Sequence, residues 1–174
     1  MMPADRITPF FRIVLRVVGV ANLICLVLWL VALVVSVPFA GALERQLIAK
    51  YGAAINVGMV VAGMRGLIVI GIGAGIAIHH IVRNLRAIVD TLVEGDPFVF
   101  DNARRLQAIG WALLALQLLD LTLGALTWMF VSLRVDVLDW TPSFTGWLAV
   151  LTAFVLARVF ASGTAMRDEL EATV

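Results

Sequence analysis

VVGVANLICLVLWLVALVVSV, residues 17–37, holds no Asp, Glu, Lys or Arg over 21 positions. As a helix it is about 32 Å long at about 1.5 Å per residue, which matches a hydrocarbon core of roughly 30 Å. Arg6, Arg12 and Arg16 before it and the small residues Ala40, Gly41 and Ala42 after it imitate a secretory signal. A signal has an apolar region of only about 7–15 residues, so this run is read as a permanent anchor. The first span is expected at 13–37, started by Thr8 and Pro9, with Phe10 and Phe11 at headgroup depth and Pro38 as its stop.

Three further spans follow. The second, at 59–79, has Arg65 inside it, and its helical pattern runs on toward water. There Ile81, Leu85, Ile88, Val89 and Leu92 recur at helical spacing among Arg83, Arg86, Asp90 and Glu94. Gly95, Asp96 and Pro97 break this amphipathic extension, Asp101 or Asn102 caps the next helix, and spans at 106–131 and 144–161 complete the set. GALERQLIAKYG (41–52) and RVDVLDWTPS (134–143) are read as polar connections and GTAMRDELEATV (163–174) as a polar tail. The expected fold is all-α: one domain over 1–174, a bundle of four transmembrane helices with a cytoplasmic helical extension between helices 2 and 3. Composition agrees, since 62% of the 174 residues are hydrophobic and 14% charged, against roughly 45–50% and about 25% in soluble domains.

Basic residues are retained on the cytoplasmic side, so their distribution sets orientation. Arg6, Arg12, Arg16, Arg83, Arg86, Arg104, Arg105, Arg158 and Arg167 flank one side, and only Arg45, Lys50 and Arg134 the other. Both termini and the central connection are therefore expected in the cytoplasm, with Trp128, Trp140 and Trp147 as an outer aromatic belt and Trp111 and Phe160 near the inner one. The lipid bilayer is the first partner implied. A net charge of +1 gives no pull toward nucleic acid, and no direct nucleic-acid contact is expected.

Two ionisable residues fall at similar depth. Arg65 lies roughly 9 Å and Asp120 roughly 12 Å below the outer face, so the two can meet, and a charge alone in hydrocarbon would cost several kcal/mol. Gln117, Asp120, Gly124 and Thr127 share a helical face. The pair reads either as a structural device that fixes helix register or as part of a proton, ion or solute path. Gly71 with Gly75, and Ala149, Ala153, Ala157 and Ala161, form small-residue stripes that serve packing within the chain or a homo-oligomer. The single cysteine, Cys25, excludes an intrachain disulfide. His79 and His80 diverge by about 100 degrees on a helix and have no companion ligands, so no metal site is expected. GIGAG (71–75) follows no strand and lacks the spacing of a nucleotide loop. No cofactor is implied, and no constellation for nucleophilic or metal-assisted catalysis is present in the pattern, so an enzyme is not expected.

EGDPFVFDNARRLQAIGW (94–111) and ARVFASGTAMRDELEATV (157–174) resemble the bacterial membrane proteins of the domain-of-unknown-function 2975 family. The resemblance runs through nearly the whole chain and rests on Gly95, Pro97, Phe98, Asn102, Leu106 and Gly110, then Phe160, Gly163, Arg167, Asp168, Glu169, Thr173 and Val174. It implies a multi-pass protein of the bacterial inner membrane and, by analogy, docking of a cytosolic regulatory protein such as a small helix-turn-helix regulator. Physically, Gly95 and Pro97 shape a turn that presents Phe98 and Phe100, and this loop and the acidic tail lie on one side of the membrane. They form either a small docking platform or a cap that tucks the Phe rings into the interface. The leading expectation is a non-enzymatic interaction protein; the alternative is a small transporter or channel subunit that uses Asp120 and Arg65.

Overall fold

Lipid offers no hydrogen bonds, so a segment that crosses it must pair its own backbone groups, which a helix does locally. The structure, a computed structural model, describes residues 4–52, 55–93, 99–135 and 139–171. Among them the chain forms α1 (Ala4–Val35), α2 (Ala40–Tyr51), α3 (Val57–Val93), α4 (Phe100–Ser132) and α5 (Phe144–Glu171), with no strand. All but α2 are long and apolar enough to cross a membrane. The chain is a multi-pass membrane protein.

The helical extension expected after span two is present, because α3 continues unbroken to Val93. Other expectations need correction. Pro9 lies inside α1 and does not start it, since a proline near a helix end forfeits only one backbone bond. The stretch read as a polar connection after span one contains α2, whose Leu43, Leu47 and Tyr51 repeat at four-residue spacing and turn inward. Neither Asp101 nor Asn102 caps α4: Val99 occupies that position without a side-chain bond. The stretch 163–171 is helical too, as the last turns of α5.

The four spans stand in an open row, α1–α3–α4–α5, with α2 laid against α3. Among the described residues no close backbone approach joins α1 to α4, α1 to α5 or α3 to α5. Small residues make each seam. Gly71 and Gly75 of α3 receive Trp29 and Leu26 of α1, so a Cβ at either would stand 2.7 Å from the neighbouring side chain. Asn22 of α1, buried in mid-span, donates to the Gly75 carbonyl at 3.0 Å. Between α4 and α5, Gly110 admits the ring of Phe154, while Ala153 and Ala157 of the alanine stripe are buried. Gly71, Gly75, Ala153 and Ala157 of these stripes serve contacts within the chain, while Ala149 is exposed.

At the α2 end of the molecule, Leu47, Val60, Phe130 and Val135 form an apolar cluster that pins α2 across the start of α3 and the end of α4. Phe130 is 1% exposed and its ring lies over Gly63, where a Cβ would fall 2.6 Å from it. A fully buried ring has nowhere to move. Gly63→Ala is therefore expected to lower stability by roughly 1–3 kcal/mol, read as an earlier thermal transition in mild detergent. Gly41→Ala on α2, where nothing lies within 4 Å, is expected to leave that transition unchanged or slightly later.

Candidate functional site

Polar groups inside the membrane must find partners within the protein, so their partners reveal what each is for. Arg65 and Asp120 are not brought together. Arg65 faces α1, where its Nη2 donates to the Ser36 carbonyl at 3.2 Å just past the end of that helix. There the guanidinium answers the negative end of the α1 dipole, although its buried Nε has no partner among the described residues. Asp120 faces the opposite way and accepts from the indole Nε1 of Trp140 at 3.2 Å.

The company of Asp120 explains its position. Gln117 donates to the Ser143 carbonyl at 3.2 Å, and the Trp140 ring rests on Gly124. Helix α5 begins alongside Gln117, which precedes the end of α4 at Ser132 by 15 residues, or about 22 Å of helix. Residues 139–143 therefore run along α4 as irregular chain. Irregular backbone at membrane depth is tolerated only where protein groups pair it; Gln117 pairs the Ser143 carbonyl, while Asp120 and Gly124 hold the Trp140 side chain against α4. The fourth residue of the face, Thr127, bonds back to the Leu123 carbonyl of its own helix.

At the end of the molecule away from α2, a second polar assembly joins the last turns of α3 to the first turns of α4. Asn102 is fully buried. Its Nδ2 donates to Thr91 Oγ1 at 2.8 Å, and the Thr91 hydroxyl donates onward to the Ile88 carbonyl at 2.8 Å. Arg105 Nη1 donates to Asn102 Oδ1 at 2.8 Å and to the Ala87 carbonyl at 3.3 Å. The donors all run in one sense, from Arg105 through Asn102 and Thr91 to the α3 backbone, an arrangement in which each bond polarises the next.

The other motif positions that the structure describes lie on α4 and α5. Leu106 lines a groove with Leu85 of α3 and Ala153 of α5, and Gly110 admits Phe154. Phe160 and Gly163 are half-buried on α5, Arg167 is exposed, and Asp168 and Glu169 belong to its final turns. Gly95, Pro97 and Phe98 lie outside the described residues. Beyond Ala161, which shares a cleft with Phe100, α5 runs for ten residues more, about 15 Å. Thr164 in that stretch is 3% exposed and bonds back to its own helix. Thr164 is thus buried, while Ser162, Ala165 and Met166 around it are exposed. The cleft itself lies between α4 and α5 and is lined by Phe100, Arg104, Gln107, Phe154 and Arg158, with no acidic residue among the described residues of its wall.

Thr91, Arg105 and Thr164 are not singled out by the sequence. Thr91 offers no signal beyond lying on the amphipathic extension, and Arg105 reads in the sequence only as one of the charges that orient the chain.

The family model for a protein of unknown function, DUF2975, matches residues 65–174. The match thus begins within α3, and α1 and α2 lie outside it, a narrower extent than the resemblance suggested. No curated protein and no solved structure matches the chain.

Replacing Asn102 by Ala leaves the half-buried Arg105 guanidinium and the half-buried Thr91 hydroxyl each one partner short, a loss of about 1–3 kcal/mol. Hydrogen exchange of the Asn102→Ala protein in detergent is expected to rise roughly tenfold or more over the turns around Thr91 and Asn102, with α1 unaffected. An unchanged exchange rate at that junction would show that the network does not hold it.

Proposed function

The chain belongs to the DUF2975 family of proteins of unknown function, and on that premise we propose that it is a non-enzymatic docking protein of the bacterial inner membrane. The docking surface is the end of the molecule away from α2, comprising the connection 94–98, the first turns of α4 and the last turns of α5. That end faces the cytoplasm, as the arginine distribution argues. Its occupant is a cytosolic regulatory protein, of which a small helix-turn-helix regulator is the type we favour.

The observation that carries this reading is the buried polar pairing at that end. A helix pair in lipid needs only small residues and packing to associate. Here an additional network, centred on a fully buried Asn102, fixes the ends of α3 and α4, and Thr164 is buried in the final turns of α5. Such rigidity has no use for membrane insertion, but it suits a surface that must present one shape to a partner. The Arg104 and Arg158 cleft beside it, with no acidic residue among the described residues of its wall, suits an acidic side chain on that partner.

The alternative, a transporter or channel subunit, draws no support from its two key residues. Arg65 bonds toward α1 and Asp120 toward the chain before α5, on opposite sides of the α3–α4 pair.

Affinity capture from gently solubilised membranes, read by mass spectrometry, tests the proposal. The full chain is expected to retain a soluble protein that is lost when the last eight residues are removed and is reduced in the Arg104→Gln, Arg158→Gln double variant, with membrane insertion unchanged in both. Equal recovery from all three proteins would remove the docking reading.

A further inference from the structure

A second basic cleft lies between α1 and α3, lined by Arg12, Arg16, Arg86 and Asp90. Among the described residues three arginines face one carboxylate, a formal excess of two positive charges. Its parts are held differently. Arg12 pairs with Asp90 through Nη2 at 2.7 Å and Nε at 3.0 Å. Arg86 reaches across to the Leu15 carbonyl, with Nη2 at 2.5 Å and Nε at 3.2 Å. Gly19 permits that reach, because a Cβ there would overlap the guanidinium. Arg16 is exposed and makes no hydrogen bond or ion pair among the described residues.

Depth gives the cleft its meaning. From Val17 to Val35 on α1, and from Gly66 to Val82 on α3, there is no charged residue. On α1 those 19 residues span about 28 Å, close to a full hydrocarbon core. The four charged side chains therefore begin where the hydrocarbon ends, at the level of lipid phosphates. The cleft also adjoins lipid sideways, because α1 packs on α3 alone among the spans and leaves Val17, Val20 and Ile24 more than half exposed. A diacyl lipid can lay its chains on that apolar flank while its headgroup meets the arginines.

We propose that the α1–α3 cleft is a binding site for an anionic phospholipid, whose phosphodiester is held by Arg16 and Arg86 beside the Arg12–Asp90 pair. Guanidinium groups match phosphate oxygens in a planar, two-point geometry, and basic pockets between spans at the membrane edge hold anionic headgroups. Asp90 neutralises one arginine and orients it, so the remaining charge selects against a zwitterionic headgroup. A free phosphate offers the same oxygens without the chains, and the apolar flank favours the lipid.

The full chain in detergent, titrated with phosphatidylglycerol, phosphatidylcholine or inorganic phosphate and read by native mass spectrometry and thermal stability, decides the matter. Phosphatidylglycerol is expected to bind and raise the transition, with phosphatidylcholine weaker. Arg16→Gln removes one cation that makes no hydrogen bond or ion pair among the described residues and is expected to weaken phosphatidylglycerol about fivefold, whereas Arg45→Gln on α2 leaves it unchanged. Equal binding of the two lipids, an undiminished affinity in Arg16→Gln, or a stabilisation reproduced by inorganic phosphate alone would each overturn the assignment.

Discussion

Within lipid, apolar side chains gain nothing by touching each other rather than acyl chains, so helices associate through close backbone approach and through polar groups that have no other partner. Every seam of this protein follows that constraint. Between α1 and α3 the approach is made at Gly71 and Gly75 and the polar bond by Asn22. Between α3 and α4 the corresponding features are Gly63 and the Asn102 network; between α4 and α5 they are Gly110 and Gly146, with Gln117 and Asp120 bonding the chain just before α5. Because each seam is satisfied by its own two helices and, at α5, by the chain that leads into it, nothing obliges the row to close. The outer helices α1 and α5 remain largely open to lipid.

The two ends of the row differ in how they are finished. At one, α2 closes over an apolar cluster in which Phe130 is almost wholly buried, the kind of small core found in soluble proteins. At the other, buried amides and hydroxyls replace apolar contacts, and arginines line clefts on both flanks of the α3–α4 pair. An apolar closure needs only to exclude water. A polar one fixes direction as well as proximity, since each donor must meet its acceptor. That asymmetry is why the polar end is the place to expect recognition, of lipid on the α1 flank and of a soluble partner beyond α4 and α5.

Spans and fold class are legible in the sequence because a long uncharged run has one physical outcome, and the amphipathic extension of α3 is legible because its period is regular over several turns. Side-chain partners are another matter. Equal depth suggests that Arg65 and Asp120 meet, but depth says nothing about which way a side chain faces around its helix. One turns to the end of α1 and the other to the chain before α5. Helix α2 escapes notice because its three inward residues stand among Glu44, Arg45 and Lys50, and a short segment shows too few turns for its period to stand out. Asn102 is marked by its motif, yet its place in the sequence suggests a cap rather than a bond across a seam. Its partner Thr91 lies on another helix, and no local pattern announces that pairing.

The placement of both clefts depends on the open row, and intramolecular cysteine crosslinking in native membranes, in a Cys25→Ser background, tests it most directly. Cysteines at positions 26 and 75, where Leu26 meets Gly75, and at 110 and 154, where Gly110 meets Phe154, should each join within one chain. Pairs that link mid-span positions of α1 to α5 should not. An efficient α1–α5 crosslink within a single chain would mean that the helices close into a ring, which contradicts the open row and removes the lipid-facing flank of α1.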